Sequence, residues 1–493
     1  MTHNTMSVMA PLLVADPAGR NTEEWRRAWK KFDERLATAK CLGAEAVSVD
    51  VWWGLAEKLE RQYDWSYFDE ILDHIITAGL KWVPIMSLHQ CGGNIGDTVN
   101  VPLASWVWTK LASKVDSRDV NAVKYVSEQG NSSPEYVSCW ATDLVLEDYR
   151  AFFAAFQTHF ASKAGHIAEI NISLGPAGEL RYPSYNSHDK GTDYPTRGAL
   201  QCYSELARKS FVDFVITRYG SRDGVRQAWG EFENIEPPRD VEAFFAHKVH
   251  TDTQYGRDLF DWYTQSLHEH GRKVMTAALD TFSADGAPFA GIDLGAKVPG
   301  VHWRMGHWEG DRLVLSDRLA ELNAGLIRTS DWNSGESHGY SAIVGLFRDF
   351  QFIKPGTRVV LHFTCLEMAD GENESLAYQL VRWVGAEANR QGVVIKGENA
   401  LNYTLYNAES WQRLRSAMSL YAGLTILRVN DIVDNDVARR EFLVTARLAA
   451  ATESPASITV VKQNLTTVVR WQPVNPLLLL LQAAGLRQAA AGM

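Results

Sequence analysis

Short apolar runs alternate with longer amphipathic segments along most of this 493-residue chain, and this alternation limits the fold more than any other feature. The runs have the length and composition of β-strands, and the segments between them have helical periodicity. Because each helix returns the chain to the same end of a sheet, the alternation predicts parallel strands. The strand candidates are 7–14, 46–52, 82–89, 167–174, 295–303, 358–365, 392–398 and 424–429. Eight such units predict an α/β fold with one closed (β/α)8 TIM barrel.

Two details of the strand pattern are less regular. A ninth apolar run, 325–330, has the composition of a strand but also fits a helix or a loop. Pro84 lies inside the third candidate, where it counts against a strand because proline has no N–H to donate to a sheet. Eight strands remain the prediction.

The intervening segments place apolar side chains on one helix face. Trp25, Trp29, Phe32 and Leu36 recur every three or four residues, which is the repeat of an α-helix. The segments 68–75 and 149–160 repeat in the same way. We therefore expect these faces to pack against the barrel.

Two connections between strand candidates are much longer than the others, at 90–166 and 175–287. Connections longer than about 12–15 residues usually carry structure of their own or build a binding site. In a TIM barrel the loops that follow the strands gather at the carboxyl end. We expect these long loops to form an active-site pocket there.

Composition excludes several classes of protein. The net charge is −10 without a basic block, so nucleic acid is not an expected partner. The five cysteines are scattered and lack a CxxC pair, which argues against a disulfide framework or a zinc site. The C-terminal run "PLLLLLQAAGL" is too short to span a bilayer, and no Lys or Arg precedes the N-terminal apolar run, as a signal peptide would require. We expect a cytoplasmic monomer.

Polar side chains recur where the predicted strands end. They are Asp50, His89, Glu179, Lys297, His302, Thr364, Glu398 and Arg428. Any one of them alone is better explained as a paired core or surface group, but a barrel would bring all of these strand ends into one ring. Glu179 and Glu398 would then face a common pocket, and two carboxyl groups flanking a bond are what glycoside hydrolysis requires.

A glycine-rich loop, "HQCGGNIGD" at 89–97, follows the third strand candidate. Its glycines give the backbone freedom, as in a lid that closes over substrate. A rigid turn without function explains the glycines equally well. The loop lacks the GK[ST] ending of a phosphate-binding loop.

Five motifs together resemble the β-amylase family of glycoside hydrolases, and its bacterial branch in particular. They are "VDVWWG" (49–54), "HQCGGNIGD" (89–97), "GPAGELRYPSY" (175–185), "FTCLEM" (363–368) and "GENAL" (397–401). The resemblance implies a (β/α)8 barrel that needs no cofactor. It also implies exo-acting hydrolysis of α-1,4-glucosidic bonds at the non-reducing ends of starch-type glucans, which releases β-maltose with inversion of configuration.

The resemblance also assigns roles to residues. Glu179 matches the general acid that protonates the glycosidic oxygen, and Glu398 matches the general base that activates water. Inversion leaves room for that water between the two carboxyl groups. The positions that match sugar-binding residues are Asp50, His89, Asp97, Lys297, His302, Thr364, Asn399, Ala400 and Arg428.

The chain departs from its bacterial relatives at an acidic site that holds calcium in some of them. Glu57 and Asp148 could serve as ligands, but Arg61 and Ala151 stand where carboxylates are expected. A cation beside the site and a missing ligand both weaken binding of an oxygen-seeking ion. We therefore predict no metal site. A second departure, "HWRMGHWEGD" at 302–311, lacks an aromatic residue that the family usually has after "HW".

The predicted domains are a catalytic barrel over 1–433 and a C-terminal extension over 434–493 with no recognisable starch-binding domain. The expected substrate is therefore a soluble α-1,4-glucan, namely maltodextrin, soluble starch or glycogen. Two alternatives stay open: a catalytically silent glucan-binding or sensor protein on the same barrel, and a retaining glycosidase of related fold.

Overall fold

The computed structural model describes residues 3–92, 97–115, 117–310, 312–331 and 339–451. Their strands are β1 (Thr5–Met9), β2 (Ala46–Trp52), β3 (Lys81–Ser87), β4 (Lys124–Val126), β5 (Ser132–Val137), β6 (Glu169–Ile172), β7 (Asp293–Val298), β8 (Gly306–Glu309), β9 (Arg312–Leu315), β10 (Val359–Phe363), β11 (Ile395–Glu398) and β12 (Gly423–Ile426). Eight of these strands close a parallel barrel in the order β1, β2, β3, β6, β7, β10, β11 and β12. This confirms the predicted (β/α)8 fold.

The helices of the described residues lie mostly between the barrel strands. They are α1 (Glu23–Leu42), α2 (Trp53–Ala56), α3 (Ser66–Thr77), α4 (Ser105–Ser113), α5 (Thr142–Phe160), α6 (Glu205–Tyr219), α7 (Arg222–Trp229), α8 (Val241–Ala246), α9 (Val249–Asp252), α10 (Gln254–Phe282), α11 (Ala320–Asn323), α12 (Ser341–Phe350), α13 (Ala377–Gln391), α14 (Ala408–Ala417), α15 (Val429–Asp434) and α16 (Asp436–Ala451).

Helix α1 illustrates how local sequence sets these elements. The Thr22 side chain accepts a hydrogen bond from the Trp25 amide at the start of the helix, which pairs one of the free N–H groups there. Gly43 ends the helix in the left-handed conformation, at φ 106°, which a residue without Cβ adopts readily. The predicted apolar face of Trp25, Trp29, Phe32 and Leu36 is buried.

The two long connections carry structure of their own. The first contains α4, the antiparallel hairpin β4–β5 and α5, and the second contains α6 to α10. The sequence pattern did not predict this hairpin or the second one, β8–β9, because both consist of short strands outside the barrel.

The structure resolves the two irregular details of the strand pattern. The run 325–330 is not a strand; it forms turns after α11, and the Leu326 amide donates to the Glu321 carbonyl to end that helix. Pro84, which counted against a strand, lies inside β3. Pro84 pairs with Val49 of β2 and lies between the Trp82–Ile167 bridge and the β3–β6 ladder that begins at Ile85.

The barrel interior holds a buried cluster of ionisable groups below its carboxyl end. Glu169 of β6 pairs with the His362 ring of β10, and its other oxygen lies 2.7 Å from Lys396 Nζ of β11. Burial alone would raise the pKa of Glu169, but Lys396 and His362 together hold it well below its usual range. The contacts of Glu169 thus connect β6, β10 and β11 inside the barrel.

Helix α16, the last helix of the described residues, contacts α1, α14 and β1. The chain divides into two compact units, 1–457 and 458–493, and the second lies entirely outside the described residues. The predicted boundary at residue 433 stays a prediction. Across the described residues, no helix combines the length and apolar character that crossing a membrane requires.

The interior cluster makes a stability prediction. Glu169→Gln should lower the free energy of unfolding by about 3 to 5 kcal/mol, because it removes the buried carboxylate that pairs with Lys396 and His362. Since the folded-state pKa of Glu169 is depressed, the stabilisation is present above the usual pKa of glutamate and is lost as pH falls below it. The measurement is urea unfolding of both proteins at pH 7 and at lower pH.

Glu147→Gln is the matched control, because the Glu147 side chain is 79% exposed and pairs with Arg150 at 3.5 Å. Its effect should stay within about 0.5 kcal/mol. Equal unfolding energies for Glu169→Gln and the unchanged protein would contradict the assigned role.

Candidate active site

A cavity of about 200 Å³ lies at the carboxyl end of the barrel. Side chains and loops that follow strands around the barrel line it. Every residue predicted as catalytic or sugar-binding lines this one cavity, namely Asp50, His89, Asp97, Glu179, Lys297, His302, Thr364, Glu398, Asn399, Ala400 and Arg428. The structure therefore brings the complete predicted set together.

A tight turn presents Glu179 to the cavity. After β6 the chain passes through a short 3-10 turn, Pro176–Gly178, in which Ala177 and Gly178 have φ of 54° and 79°. A Cβ at Gly178 would lie 3.3 Å from the His89 ring, so glycine both permits the turn and leaves room for the histidine. The Leu180 amide then donates to the Lys297 carbonyl at 2.8 Å, which ties the turn to β7.

Two neighbours fix the Glu179 carboxyl group. Arg181 Nε donates to Glu179 Oε2 at 2.9 Å, and the Tyr185 hydroxyl donates to the same oxygen at 3.3 Å. The Arg181 guanidinium lies 4.0 Å from the centre of the Tyr185 ring, a cation–π contact that positions both. The structure thus places Arg181 as an orienting neighbour of Glu179.

Glu398, the last residue of β11, is buried and pairs with the Lys297 side chain of β7. Lys297 Nζ lies 2.7 Å from Glu398 Oε2. Burial alone would lower the pKa of Lys297, but the carboxyl groups of Glu398, Glu179 and Asp50 raise it above its usual value. Lys297 is therefore a permanent cation among the carboxylates of the cavity.

The two histidines of the cavity are neutral. Burial lowers the pKa of His89 to about 3, and the Lys297 and Arg181 charges add to this effect. Burial also lowers the pKa of His302 to about 3. His89 Nδ1 lies 2.8 Å from the Ser173 hydroxyl, which leaves Nε2 for a ligand. Neutral imidazoles suit hydrogen bonds with uncharged hydroxyl groups.

Asp50 lies in β2 on the cavity wall. The Ser87 hydroxyl donates to Asp50 Oδ1 at 2.8 Å. Burial raises the pKa of Asp50, and the charges of Arg428 and Lys297 oppose this shift. Arg428 in turn donates to the Ala10 carbonyl at 2.9 Å. Asp50 is thus held between neighbours as a fixed acceptor.

The Glu367 carboxyl group holds the loop that carries Asn399 and Ala400. Sequence reasoning missed this residue. Its carboxyl oxygens accept the Ala400 amide at 3.0 Å and the Leu401 amide at 2.9 Å. Burial raises the pKa of Glu367 to about 7. Asn399 Oδ1 accepts the Leu427 amide at 2.8 Å. Glu367 lies inside "FTCLEM", so this motif was the signal for it.

Thr364 follows β10 and joins two loops of the cavity. Its hydroxyl accepts the Gly300 amide at 2.9 Å. Sequence reasoning also missed the aromatic lining, which consists of Trp52, Tyr185, Tyr194 and Trp303. These residues lie within or beside the motifs, but an aromatic residue on its own is more often part of a core.

Asp97 ends the glycine-rich loop and lines the cavity. Its Oδ2 accepts the Gly92 amide at 2.8 Å. Residues 93–96 lie outside the described residues, so the lid stays a prediction.

The acidic pair considered for calcium does come together, but with two basic side chains. Asp148 Oδ1 lies 2.8 Å from an Arg61 guanidinium nitrogen and 2.7 Å from Lys110 Nζ. Glu57 Oε1 accepts the Arg61 amide at 2.7 Å. In the part of the chain that the structure describes, no three His, Cys, Asp or Glu side chains are grouped to hold a metal ion. The absence of calcium stays a prediction.

Comparisons with known proteins give one consistent result. The family model described as glycosyl hydrolase family 14 matches residues 7–449. The thermophilic β-amylase of Thermoanaerobacterium thermosulfurigenes is 37% identical over 418 residues, which are 82% of this chain and 68% of that protein. The β-amylase of Bacillus cereus is 33% identical over 451 residues, which are 90% of this chain and 74% of that protein.

A solved structure agrees with these relatives. The catalytic domain of β-amylase from Paenibacillus polymyxa superimposes with a TM-score of 0.74 at 32% identity. The match covers 90% of this chain and 98% of that one.

The buried ion pair makes a prediction about pH. Lys297→Met should lower kcat/KM by about a hundredfold or more, since it removes a fixed charge from the reacting centre. The acid limb of the pH profile should also move to higher pH, because a buried carboxyl group without its cation ionises less readily. The measurement is kcat/KM for maltotetraose hydrolysis between pH 4 and 9.

Lys163→Met serves as the control, because Lys163 is an exposed lysine paired with Asp73 at 3.6 Å. It should leave rate and profile unchanged. A Lys297→Met enzyme with the original acid limb would show that Lys297 does not act on the ionisation of the site.

Proposed function

Because the chain belongs to glycosyl hydrolase family 14, we propose that it removes β-maltose from the non-reducing ends of α-1,4-glucans with inversion of configuration. It is a glycoside hydrolase of the β-amylase type. One observation carries the proposal at the level of the site: Glu179 and Glu398 line the same cavity from different strands, and Lys297 of β7 makes contact with the chain segments of both.

Glu179 acts as the general acid. It gives its proton to the glycosidic oxygen as the bond from that oxygen to the anomeric carbon breaks. Arg181 and Tyr185 both bind Oε2, so Oε1 is the oxygen that donates the proton. Their contacts fix the direction of donation.

Glu398 acts as the general base. Its carboxylate takes a proton from a water molecule whose oxygen bonds to the anomeric carbon on the face opposite the leaving group. Lys297 Nζ, 2.7 Å from Glu398 Oε2, places a positive charge beside this carboxylate and fixes its position. Proton exchange with solvent then restores both glutamates.

The remaining lining residues bind the sugar. Asp50 accepts hydrogen bonds, and the neutral imidazoles of His89 and His302 bind hydroxyl groups without introducing charge. Aromatic faces such as Trp52 provide stacking surfaces.

We propose maltodextrin, soluble starch or glycogen as substrate, with no cofactor, no nucleic acid and no membrane as partner. The monomeric state and the cytoplasmic location stay predictions. A silent glucan-binding protein is the weaker candidate, because both glutamates and Lys297 are in place.

Substitution of either glutamate tests this function. Glu179→Gln and Glu398→Gln should each lower kcat for maltose release from maltotetraose by about 10² to 10⁴-fold, because each removes one proton transfer. The measurement is maltose release followed by chromatography.

Glu147→Gln, on the exposed face of α5, is the control and should retain full activity. Full activity in either active-site variant would refute the assigned role. No maltose from the unchanged protein would favour the silent glucan-binding alternative.

A further inference from the structure

Tyr403 is an exposed aromatic residue at the edge of the cavity. Its side chain is 57% exposed, and it lies in the 3-10 turn Asn402–Tyr406, directly after the lining residues Ala400 and Leu401. A single exposed aromatic residue is common on protein surfaces. What separates Tyr403 from the others is the row of rings that leads to it.

The row begins at the general acid. The Tyr185 hydroxyl donates to Glu179, and the Tyr185 ring packs edge-on against Trp303 with centroids 5.0 Å apart. Trp303 packs in the same way against Tyr194, at 4.9 Å. The lining of the cavity thus contains three rings in sequence from Glu179 to Tyr194.

Tyr194 lines the same cavity as Leu401, which precedes Tyr403 by two residues. Burial raises the pKa of Tyr194 to about 12, and the charge of the Tyr403 hydroxyl adds to this shift. Asn373 Nδ2 donates to the Tyr194 hydroxyl at 3.3 Å, and the charge of the adjacent Glu372 acts on both Tyr194 and Tyr403. The row of rings therefore ends at Tyr194, on the same cavity wall as the loop that leads into the turn of Tyr403.

The turn that carries Tyr403 is held in place. Glu367 accepts a hydrogen bond from the Leu401 amide in the preceding loop. The Tyr406 hydroxyl donates to Asp431 Oδ1 at 2.6 Å. A ring on a fixed turn loses little freedom when a ligand stacks on it. Rings flanked by hydrogen-bonding groups suit sugars, whose C–H faces stack while their hydroxyl groups bind the polar neighbours.

The position of the ring row determines which glucose units, those before or those after the scissile bond, can contact it. Glu179 gives its proton to the leaving oxygen, so rings that extend outward from Glu179 lie on the side of the leaving chain. We propose that Tyr403 forms an outer stacking subsite for the glucose units that follow the scissile bond, and that it favours long glucans over short ones. This inference rests on the proposed function and deepens it.

The test compares substrates of two lengths. Maltoheptaose places five sugars beyond the scissile bond and maltotetraose places two. In Tyr403→Ala, the ratio of kcat/KM for maltoheptaose to that for maltotetraose should fall by about three- to tenfold, as expected for loss of one stacking contact. Tyr403→Phe keeps the ring and should keep the ratio of the unchanged protein.

Phe352→Ala is the matched control. Phe352 is 76% exposed and follows α12 near the start of β10, where Gln351 binds the Val359 backbone. It therefore lies at the opposite end of the barrel and should not affect the ratio.

The outcomes separate the two proposals. Maltose release by the unchanged protein with an equal ratio in Tyr403→Ala overturns the subsite and leaves the proposed function intact. If the unchanged protein releases no maltose, the proposed function fails. The subsite is then judged by calorimetric Kd values for the two oligosaccharides, and an equal Kd ratio in Tyr403→Ala overturns it.

Discussion

The ion pair between Lys297 and Glu398 is the contact on which the site depends. Lys297 Nζ holds the Glu398 carboxylate at 2.7 Å, while the Lys297 carbonyl accepts the Leu180 amide beside Glu179 at 2.8 Å. One residue of β7 thus holds the base by its side chain and the acid by its backbone. Burial of such a pair adds little net stability, but removal of one partner leaves a buried charge. The Lys297–Glu398 pair therefore matters because it positions the two catalytic segments and places a positive charge beside Glu398.

The barrel below the site provides a fixed support. On β7, Gly295 precedes Lys297 by two residues, and a Cβ there would lie 2.0 Å from Asn171 Oδ1 and 2.7 Å from Glu169 Oε1. The absent side chain leaves room for the Glu169 cluster, which joins β6, β10 and β11. Because the strands that carry the catalytic groups are tied by charge inside the barrel, the spacing of those groups is set by the fold.

Much of this arrangement was predictable from sequence. The alternation of strands and helices predicted the barrel, and the bounds of β2 were predicted as 46–52 and observed as Ala46–Trp52. The motifs predicted a cavity that contains Glu179 and Glu398. Pro84 and the run 325–330 stayed ambiguous in the prediction because backbone pairing depends on neighbouring strands, which local sequence does not show. Glu367 and the ring row from Tyr185 to Tyr194 also escaped it, since their roles arise from contacts between distant segments.

The central claim is that Glu398 delivers water directly to the anomeric carbon while Glu179 protonates the leaving oxygen. Proton NMR of the first maltose released from a maltodextrin tests this claim most directly, because a single displacement inverts the anomeric configuration. The account predicts that β-maltose forms first and then mutarotates. Initial α-maltose would contradict it.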